Sequence, residues 1–216
     1  MTRPVRTAAE FATRMDVSRE TTARLETFVA LLLKWQNSIN LVARSSLDDI
    51  WHRHVLDSWQ LVPMIPDDAK IVVDLGSGGG FPGIVLAIAL RDRSGVMVHL
   101  VESDQRKCAF LREAARLTGS PVTVHAERIE AFTGHFTGGP ADVVTARALA
   151  PLEQLLEWSF PLFGPQTTGL FMKGEGAGVE LTRARKYWTL KSVEAQSLSD
   201  PSGIILTVKG LGRELS

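Results

Sequence analysis

The sequence predicts an α/β protein: a mainly parallel sheet with helices on both faces, preceded by a helical N-terminal region. Three observations carry this prediction. Apolar, β-branched segments alternate with helix-like segments from residue 70 onward, the first of them runs into a glycine-rich turn, and residues 7–62 show helical periodicity instead. Strands that alternate with helices favour parallel pairing, because the helix returns the chain to the start of the next strand.

The first helix is expected to begin at Thr7. Thr7 and Glu10 have the spacing of a capping box, in which the hydroxyl and the carboxylate each accept a backbone N–H at the helix start. From about residue 19 to residue 39, apolar residues recur at three- and four-residue steps, which predicts a second helix with one buried face. These residues are Leu25, Phe28, Leu32, Trp35 and Ile39.

A third helix is predicted to follow, with Ser46–Asp49 as its capping box and a stop near Pro63. His54, Asp57 and Ser58 share one face of this helix, and a local hydrogen-bond network is one explanation for them. Three tryptophans at helical positions are expected in the core rather than under stacked bases: Trp35, Trp51 and Trp59.

The alternating part of the chain supplies the sheet. Its predicted strands are Ile71–Leu75, Val96–Val101, Val122–His125, Asp142–Ala146 and Gly169–Lys173. Its predicted helices are Pro82–Arg91, Gln105–Leu117 and Leu152–Phe163. The tail differs, because two extended segments, Trp188–Leu198 and Ile204–Val208, flank the turn sequence Asp200–Gly203 and predict an antiparallel edge pair. Residues 1–66 are therefore expected to form a helical region packed on a sheet domain of residues 67–216.

Composition places the chain among ordinary globular proteins. Of its 216 residues, 44% are hydrophobic and 22% are charged, which excludes disordered and collagen-like classes. The longest apolar stretches, such as Ile84–Leu90, are too short to span a bilayer, and no apolar signal segment follows the first arginines. The single cysteine, Cys108, excludes an internal disulfide and fits a reducing compartment. A soluble cytoplasmic protein is expected.

Charge is balanced at 24 basic and 24 acidic residues, so no global field attracts nucleic acid. RNA binding would depend on local patches, and a solvated charged face explains each candidate patch equally well. One patch is N-terminal, with Arg3, Arg6, Arg14, Arg19 and Arg24. The other combines basic and aromatic residues: Arg183, Arg185, Lys186, Tyr187, Trp188 and Lys191.

The most informative motif is the glycine-rich turn Asp74–Gly83, which follows the first predicted strand. Glycines at this edge of a doubly wound sheet allow the backbone to approach a ligand closely. A dinucleotide fingerprint requires glycine three residues after Gly78, but Phe81 stands there, and no Gly-Lys-Ser/Thr follows to make a phosphate-binding P-loop. The pattern that remains, Asp-x-Gly-x-Gly-x-Gly, indicates another nucleoside-type cofactor.

Glu102 strengthens that interpretation, because it ends the second predicted strand. A carboxylate at that point can accept hydrogen bonds from both hydroxyls of a ribose. S-adenosylmethionine fits this combination better than NAD does.

Residue chemistry limits the methyl acceptor. Methylation of a pyrimidine C5 requires a thiol nucleophile, but Cys108 lies inside a predicted helix and is expected in the core. The Asn/Asp-Pro-Pro-aromatic loop of enzymes that methylate exocyclic amines is missing after the fourth strand, where Arg147 stands. Arginine stays protonated, so Arg147 would hold guanine O6 or a phosphate rather than act as a base. Guanine N7 already carries a free lone pair and needs only alignment.

Several short motifs lie along residues 35–173. They are Trp35…Asn40-Leu41, Arg53-His54-Val55-Leu56-Asp57-Ser58, the turn Asp74–Gly83, Lys107…Phe110-Leu111, Arg128-Ile129-Glu130, Arg147-Ala148 and Lys173-Gly174. With these motifs the chain resembles the bacterial 16S ribosomal RNA guanine-N7 methyltransferase family, once known as glucose-inhibited division protein B. In that family, loss of the modification is associated with low-level streptomycin resistance.

The resemblance implies a class I, Rossmann-like methyltransferase fold, with a mainly parallel seven-stranded sheet and an antiparallel C-terminal edge pair. It implies S-adenosylmethionine as the cofactor and 16S rRNA as the substrate, within the 30S subunit or its precursor. The expected product carries a methyl group on N7 of one guanine, guanine 527. No membrane and no obligate protein partner are expected.

The resemblance also implies site residues. Cofactor contacts are expected at Gly76, Phe81, Ile129, Glu130 and Arg147. The glycine-rich turn adds Asp74 and Gly78, and the end of the second strand adds Glu102. Four residues are expected to position the cofactor and the target base rather than to transfer protons: Asn40, His54, Arg147 and Lys173. No metal site is expected, because His52 and His54 point to different helix faces.

The sequence departs from the family pattern at two places, and two alternative functions remain. Gln36 stands where the family often has asparagine, and the strand Gly203–Leu206 lacks a preceding basic residue, which argues against a C-terminal contact with RNA phosphate. An NAD-linked oxidoreductase is the second candidate, although Phe81 disfavours it. A non-catalytic RNA-binding or ribosome-assembly factor with a retained cofactor pocket is the third.

Overall fold

A computed structural model describes residues 3–214 as a seven-stranded sheet with helices on both faces. The strands are β1 (Ile71–Leu75), β2 (Met97–Glu102), β3 (Val122–Ala126), β4 (Val143–Arg147), β5 (Thr168–Lys173), β6 (Trp188–Gln196) and β7 (Ile204–Arg213). Their order across the sheet is β3-β2-β1-β4-β5-β7-β6. The first five strands pair in parallel, and β7 pairs antiparallel with both β5 and β6. The predicted fold and its antiparallel C-terminal pair are confirmed.

The helices follow the predicted alternation and include two that the sequence pattern did not predict. They are α1 (Ala8–Met15), α2 (Arg19–Gln36), α3 (Asp57–Trp59), α4 (Gly83–Ala89), α5 (Gln105–Thr118), α6 (Ile129–His135), α7 (Leu152–Ser159) and α8 (Ala177–Ala184). A π-helical segment, Trp51–Leu56, runs directly into α3. The additional helices are α6 and α8, and each lies between a parallel strand and the next strand along the chain. None of the helices in residues 3–214 has both the length and the apolar character needed to cross a bilayer.

The two predicted capping boxes have different outcomes. Thr7 caps α1 by accepting the Glu10 N–H at 3.2 Å, but the Glu10 carboxylate accepts the Arg6 N–H at 2.7 Å rather than that of Thr7. The second capping box is wrong. Ser46 ends a short 3₁₀ turn and donates its hydroxyl to the Ala43 carbonyl at 2.7 Å. That hydroxyl is held by tertiary and turn contacts, so the next helix begins only near residue 50.

The helical N-terminal region packs against one face of the sheet through aromatic side chains. Phe28 of α2 is fully buried, and its ring centroid lies 5.1 Å from that of Phe81 and 6.2 Å from that of Phe110. Trp51 is buried beside Phe11, as predicted for a core tryptophan. Residues of α1, α2, α4 and α5 belong to one continuous apolar cluster. The division of the chain at residue 66 into two parts stays a prediction.

This packing predicts that Phe28→Ala lowers the free energy of unfolding by about 3–5 kcal/mol, because truncation leaves a cavity at a junction of three aromatic rings. Urea denaturation measures the change. Leu33→Ala is the matched control on the same helix, since Leu33 is 44% exposed; we expect a change within about 0.5 kcal/mol there. Equal losses in the two variants would contradict the packing described.

Candidate functional site

The candidate site lies where the parallel strands end. β1 is central, and its last residue, Leu75, pairs with Val101 on β2 and with Ala146 on β4. The register therefore brings the residues that follow each strand to the same edge, which is where ligands bind in open α/β sheets. Two adjoining cavities open there, of about 500 Å³ and about 240 Å³, and Gly76 and Gly78 line both.

The glycine-rich turn forms the wall shared by these cavities. Gly78 has a φ of +53°, which favours glycine, and its N–H donates to Glu102 Oε2 at 3.0 Å. At Gly79 an added Cβ would lie 2.8 Å from the Leu41 carbonyl oxygen, so the turn also packs directly against the N-terminal region. Both positions require glycine, one for its backbone conformation and the other for its close contact.

The smaller cavity, which we call the cofactor cavity, contains most of the predicted cofactor residues. Its lining includes Gly76, Gly78, Glu102, Lys107, Arg128, Ile129, Glu130 and Leu149. The Glu102 carboxylate is fixed from two sides, because it accepts the Asp104 N–H at 2.8 Å as well as that of Gly78. Each carboxylate oxygen has two lone pairs, so both keep capacity for ribose hydroxyls. The residues present therefore fit a nucleoside.

Asp74, a predicted cofactor residue, lies behind the turn and lines neither cavity. It is 1% exposed, and its Oδ1 accepts the Thr145 hydroxyl at 2.8 Å. Burial raises the pKa of its carboxyl group to about 6. Its position supports the turn from below, and the proposed direct contact with a cofactor stays a prediction.

The larger cavity, which we call the acceptor cavity, contains Arg147 at the end of β4. Arg147 Nη1 donates to the Arg53 carbonyl at 3.3 Å and lies 3.5 Å from Asp57 Oδ2. The guanidinium carbon lies 5.3 Å from the Phe81 ring centroid, within the range of a cation–π contact. Burial lowers the pKa of the guanidinium group, while the neighbouring Asp57 opposes that shift. Arginine nevertheless stays protonated in proteins, so this side chain acts as a fixed cation.

His54 lies in the same cavity and is neutral at neutral pH. Burial, and then the nearby Arg147 and Arg53 guanidinium groups, lower the pKa of its imidazole to about 3. Its Nε2 lies 2.7 Å from the Ser46 hydroxyl oxygen. The single hydroxyl proton of Ser46 is donated to the Ala43 carbonyl, so His54 Nε2 is the donor and Nδ1 keeps a lone pair. Neutral His54 therefore keeps only the Nδ1 lone pair as an acceptor and supplies no charge.

Lys173, at the end of β5, is less free than its predicted role suggests. Its ammonium nitrogen lies 2.8 Å from Glu180 Oε2 and donates to the Ala150 carbonyl at 2.8 Å. Glu180 also accepts the Leu152 N–H at 2.7 Å. These contacts join β5 to the loop after β4 and to α8, and they occupy two of the three ammonium donors.

Asn40, like Asp74, is a predicted site residue that lines neither cavity. Its side chain is exposed, and its Oδ1 accepts a hydrogen bond from Gln36 Nε2 at 3.2 Å. The neighbouring Leu41 and Val42 do line the acceptor cavity. Gln36 fixes them, because its Oε1 accepts their N–H groups at 2.9 and 3.1 Å. Gln36, which stands where the family often has asparagine, therefore shapes the wall of the acceptor cavity.

Sequence patterns predicted the turn between β6 and β7 but not its position in the candidate site. Ser197, Ser199, Asp200 and Gly203 line the acceptor cavity, together with Asp57 and Gln60. The turn reaches the cavity because β7 pairs with β5, with Ile204 opposite Lys173. Its polar residues looked like ordinary turn chemistry, so only the pairing of β7 could have revealed this position.

Cys108 is a core residue, as predicted. It is fully buried, and its Sγ donates to the Glu102 carbonyl at 3.1 Å. Burial raises the pKa of the thiol, which opposes formation of a reactive thiolate. Among residues 3–214, no group of three or more histidine, cysteine, aspartate and glutamate side chains is arranged to hold a metal ion.

Comparisons with known proteins extend these observations. The model of the GidB family, described as rRNA small subunit methyltransferase G, matches residues 21–206. The Ribosomal RNA small subunit methyltransferase G of Parvibaculum lavamentivorans is 57% identical over 201 residues, which cover 93% of this chain and 88% of the relative. The protein of that name from Paramagnetospirillum magneticum is 50% identical over 204 residues, covering 94% and 96% of the two chains.

Solved structures resemble this chain in fold. The cofactor-bound Rv0187 from MTB superposes with a TM-score of 0.64 at 14% identity and covers 96% of this chain and 98% of its own. An O-methyltransferase from Bacillus cereus in complex with SAH has a TM-score of 0.58 at 15% identity, covering 85% and 90%. These superpositions, rather than the low sequence identities, show the class I methyltransferase fold.

The state of His54 predicts a pH dependence of stability. In the unfolded chain this imidazole has its ordinary pKa of 6.5, whereas the folded value is about 3. Between these values the unfolded chain binds a proton that the native chain does not, so the free energy of unfolding falls as pH falls, by up to about 1.4 kcal/mol per pH unit. His54→Gln removes this contribution, and urea denaturation from neutral to acidic pH should show a shallower decline.

The matched control for this series is His135→Gln. The pKa of the exposed His135 is raised by its hydrogen bond to Glu127, so its removal changes the slope in the opposite direction. An unchanged slope in His54→Gln would mean that His54 is protonated in the native state at mildly acidic pH, contrary to the burial described.

Proposed function

The chain belongs to the GidB family, rRNA small subunit methyltransferase G, and we propose that it methylates N7 of a single guanine, guanine 527, of 16S rRNA. Membership makes it an S-adenosylmethionine-dependent methyltransferase acting on ribosomal RNA. The NAD-linked oxidoreductase considered from the sequence is therefore wrong, and the non-catalytic assembly factor is set aside. We infer the methylated atom, the methylated guanine and the roles of the individual residues from the site described above.

The cofactor cavity has the chemistry that this methyl donor needs. Gly76 and Gly78 would hold it against the backbone, Glu102 would accept its ribose hydroxyls, and Ile129 and Glu130 would border the base. When bound, S-adenosylmethionine supplies a methyl group on a positively charged sulfur. Phe81 and Arg147 lie in the adjoining cavity, beyond the shared glycine wall, and would face the reacting end of the cofactor.

The single observation that carries the choice of N7 is the pairing of charges in the acceptor cavity. Arg147 is paired with Asp57, Lys173 is paired with Glu180, and His54 is neutral. The carboxylates beside the predicted positioning residues are thus committed to cations instead of being free to remove a proton. Such a cavity suits an acceptor that needs no deprotonation, and guanine N7 is one, because its lone pair is already exposed on the base edge.

The proposed roles follow from these contacts. Arg147 offers a planar donor fork to guanine O6 or to a phosphate, and the cavity of about 500 Å³ has room for a base turned out of its stack. Lys173 fixes the loop after β4 and keeps one donor for the nucleotide. His54 and Phe81, whose ring centroids lie 5.0 Å apart, would form the flat wall of the cavity. The balanced charge of the chain favours recognition of a folded RNA site, within the 30S subunit or its precursor, over general attraction to RNA. Action on the small subunit implies the cytoplasm.

The test is transfer of radiolabelled methyl groups to small subunits that lack the modification, followed by cleavage at N7-methylguanine to map the label. We expect one labelled guanine, and about a 10²-fold slower transfer by Arg147→Ala, because a lost positioning contact misaligns the base. Arg112→Ala, at an exposed arginine outside both cavities, is the control and should keep the wild-type rate. A label on an exocyclic amine, or on C5 of a pyrimidine, would overturn the proposed site of methylation. An unchanged rate for Arg147→Ala would overturn the role of that residue.

A further inference from the structure

Asp57 connects two parts of the acceptor cavity that are far apart in the sequence. Its side chain is 15% exposed, and its Oδ2 lies 3.5 Å from Arg147 Nη1. Its Oδ1 accepts hydrogen bonds from Gln60 Nε2 at 2.9 Å and Ser197 Oγ at 3.3 Å, and also from the Ser199 hydroxyl. One carboxylate therefore holds the partly buried guanidinium group of Arg147 with one oxygen and the β6–β7 turn with the other.

A second residue on the same helical segment fixes the turn. Gln60 Oε1 accepts the Leu198 N–H at 2.7 Å, and Gln60 Nε2 lies 3.3 Å from Ser197 Oγ. Gln60 is 5% exposed, so these contacts are shielded from water. The turn is consequently held at both its backbone and its hydroxyl groups, in a position where Ser199 lines the cavity.

The contacts of Arg147 leave part of its donor fork unused. Asp57 and the Arg53 carbonyl both lie at Nη1, and within residues 3–214 the Nη2 and Nε donors have no hydrogen-bond partner. The guanidinium plane is thus set from one side by Asp57, while its other donors remain for a ligand. A shift of the carboxylate would reorient those donors.

We propose that Asp57 is a positioning residue for Arg147, and that residues 197–203 form a wall of the acceptor cavity whose placement is transmitted to Arg147 through Asp57. This inference rests on the proposed function, since it assumes that Arg147 contacts the acceptor base. The segment before β7 lacks the basic residue that would contact an RNA phosphate. In its place, the hydroxyl groups of the turn contact the Asp57 carboxylate, which also contacts Arg147.

A double-mutant cycle separates this role from a purely structural one. We expect Asp57→Asn to lower the single-turnover rate by about 10–10²-fold, because the guanidinium loses its charged partner while the side-chain shape is kept. The double variant Asp57→Asn, Arg147→Ala should transfer methyl groups no more than twofold slower than Arg147→Ala alone, because Asp57 acts only through Arg147. Rates that fall by the product of the two single effects would overturn the proposal.

Two further variants sharpen the cycle. Ser199→Ala removes one hydroxyl contact of Asp57, and we expect a smaller rate loss that likewise disappears in the Arg147→Ala background. Asp48→Asn removes an exposed carboxylate on the preceding segment, outside the two cavities, and should keep the wild-type rate. A persistent Ser199→Ala effect without Arg147 would contradict transmission through Asp57.

A readout without RNA keeps this inference distinct from the proposed function. The Nε–H resonance of Arg147 in the free protein, assigned with Arg147→Ala, should shift in Asp57→Asn and stay in place in Asp48→Asn. An unshifted resonance in Asp57→Asn would overturn the positioning role even if guanine N7 is methylated. Failure of the wild type to label that guanine, with the resonance shift present, would overturn the proposed acceptor alone.

Discussion

The register of the central strands is the constraint on which the site depends. Leu75 of β1 pairs with Val101 and Ala146, so the chain leaves three neighbouring strands at the same level. Gly76, Glu102 and Arg147 are brought together by this register and by nothing local in the sequence. A slip of one residue would turn the side chains of a strand to the opposite face, which would remove Arg147 from the acceptor cavity.

The helical N-terminal region supplies the other half of the acceptor cavity. Leu41 approaches the glycine-rich turn, while His54 and Asp57 lie on a π-helical segment and the α-helix that continues it. π-helical turns are rare and occur often at functional sites. The burial that makes His54 neutral also strengthens the contact between Arg147 and Asp57, since both lie in a medium of lower dielectric constant than water. The folding of this region and the electrostatics of the site are therefore not separable.

The sequence predicted the elements that depend on local patterns. The five parallel strands and the helix with Leu25, Phe28 and Leu32 follow from periodicity, and the glycine-rich turn follows from its spacing. The capping box at Ser46 failed because a tertiary partner, His54, holds that hydroxyl. The role of the β6–β7 turn was missed because Ser197 meets Asp57 across 140 residues, and no local pattern records such a contact. Asn40 was placed in the site by resemblance, whereas the structure places Gln36 behind the cavity wall.

We propose that methyl transfer in this site depends on positioned, mutually neutralised groups, without proton transfer from the acceptor. The test is the single-turnover rate of methyl transfer to unmodified small subunits, at saturating cofactor, between about pH 7 and pH 8.5, above the pKa of about 6 of the Asp74 carboxyl group. We expect a flat profile, because guanine N7 needs no deprotonation, His54 is neutral and Arg147 stays charged throughout this range. A rate that rises tenfold per pH unit would show that a base removes a proton from the acceptor, which would overturn methylation at N7 without proton transfer.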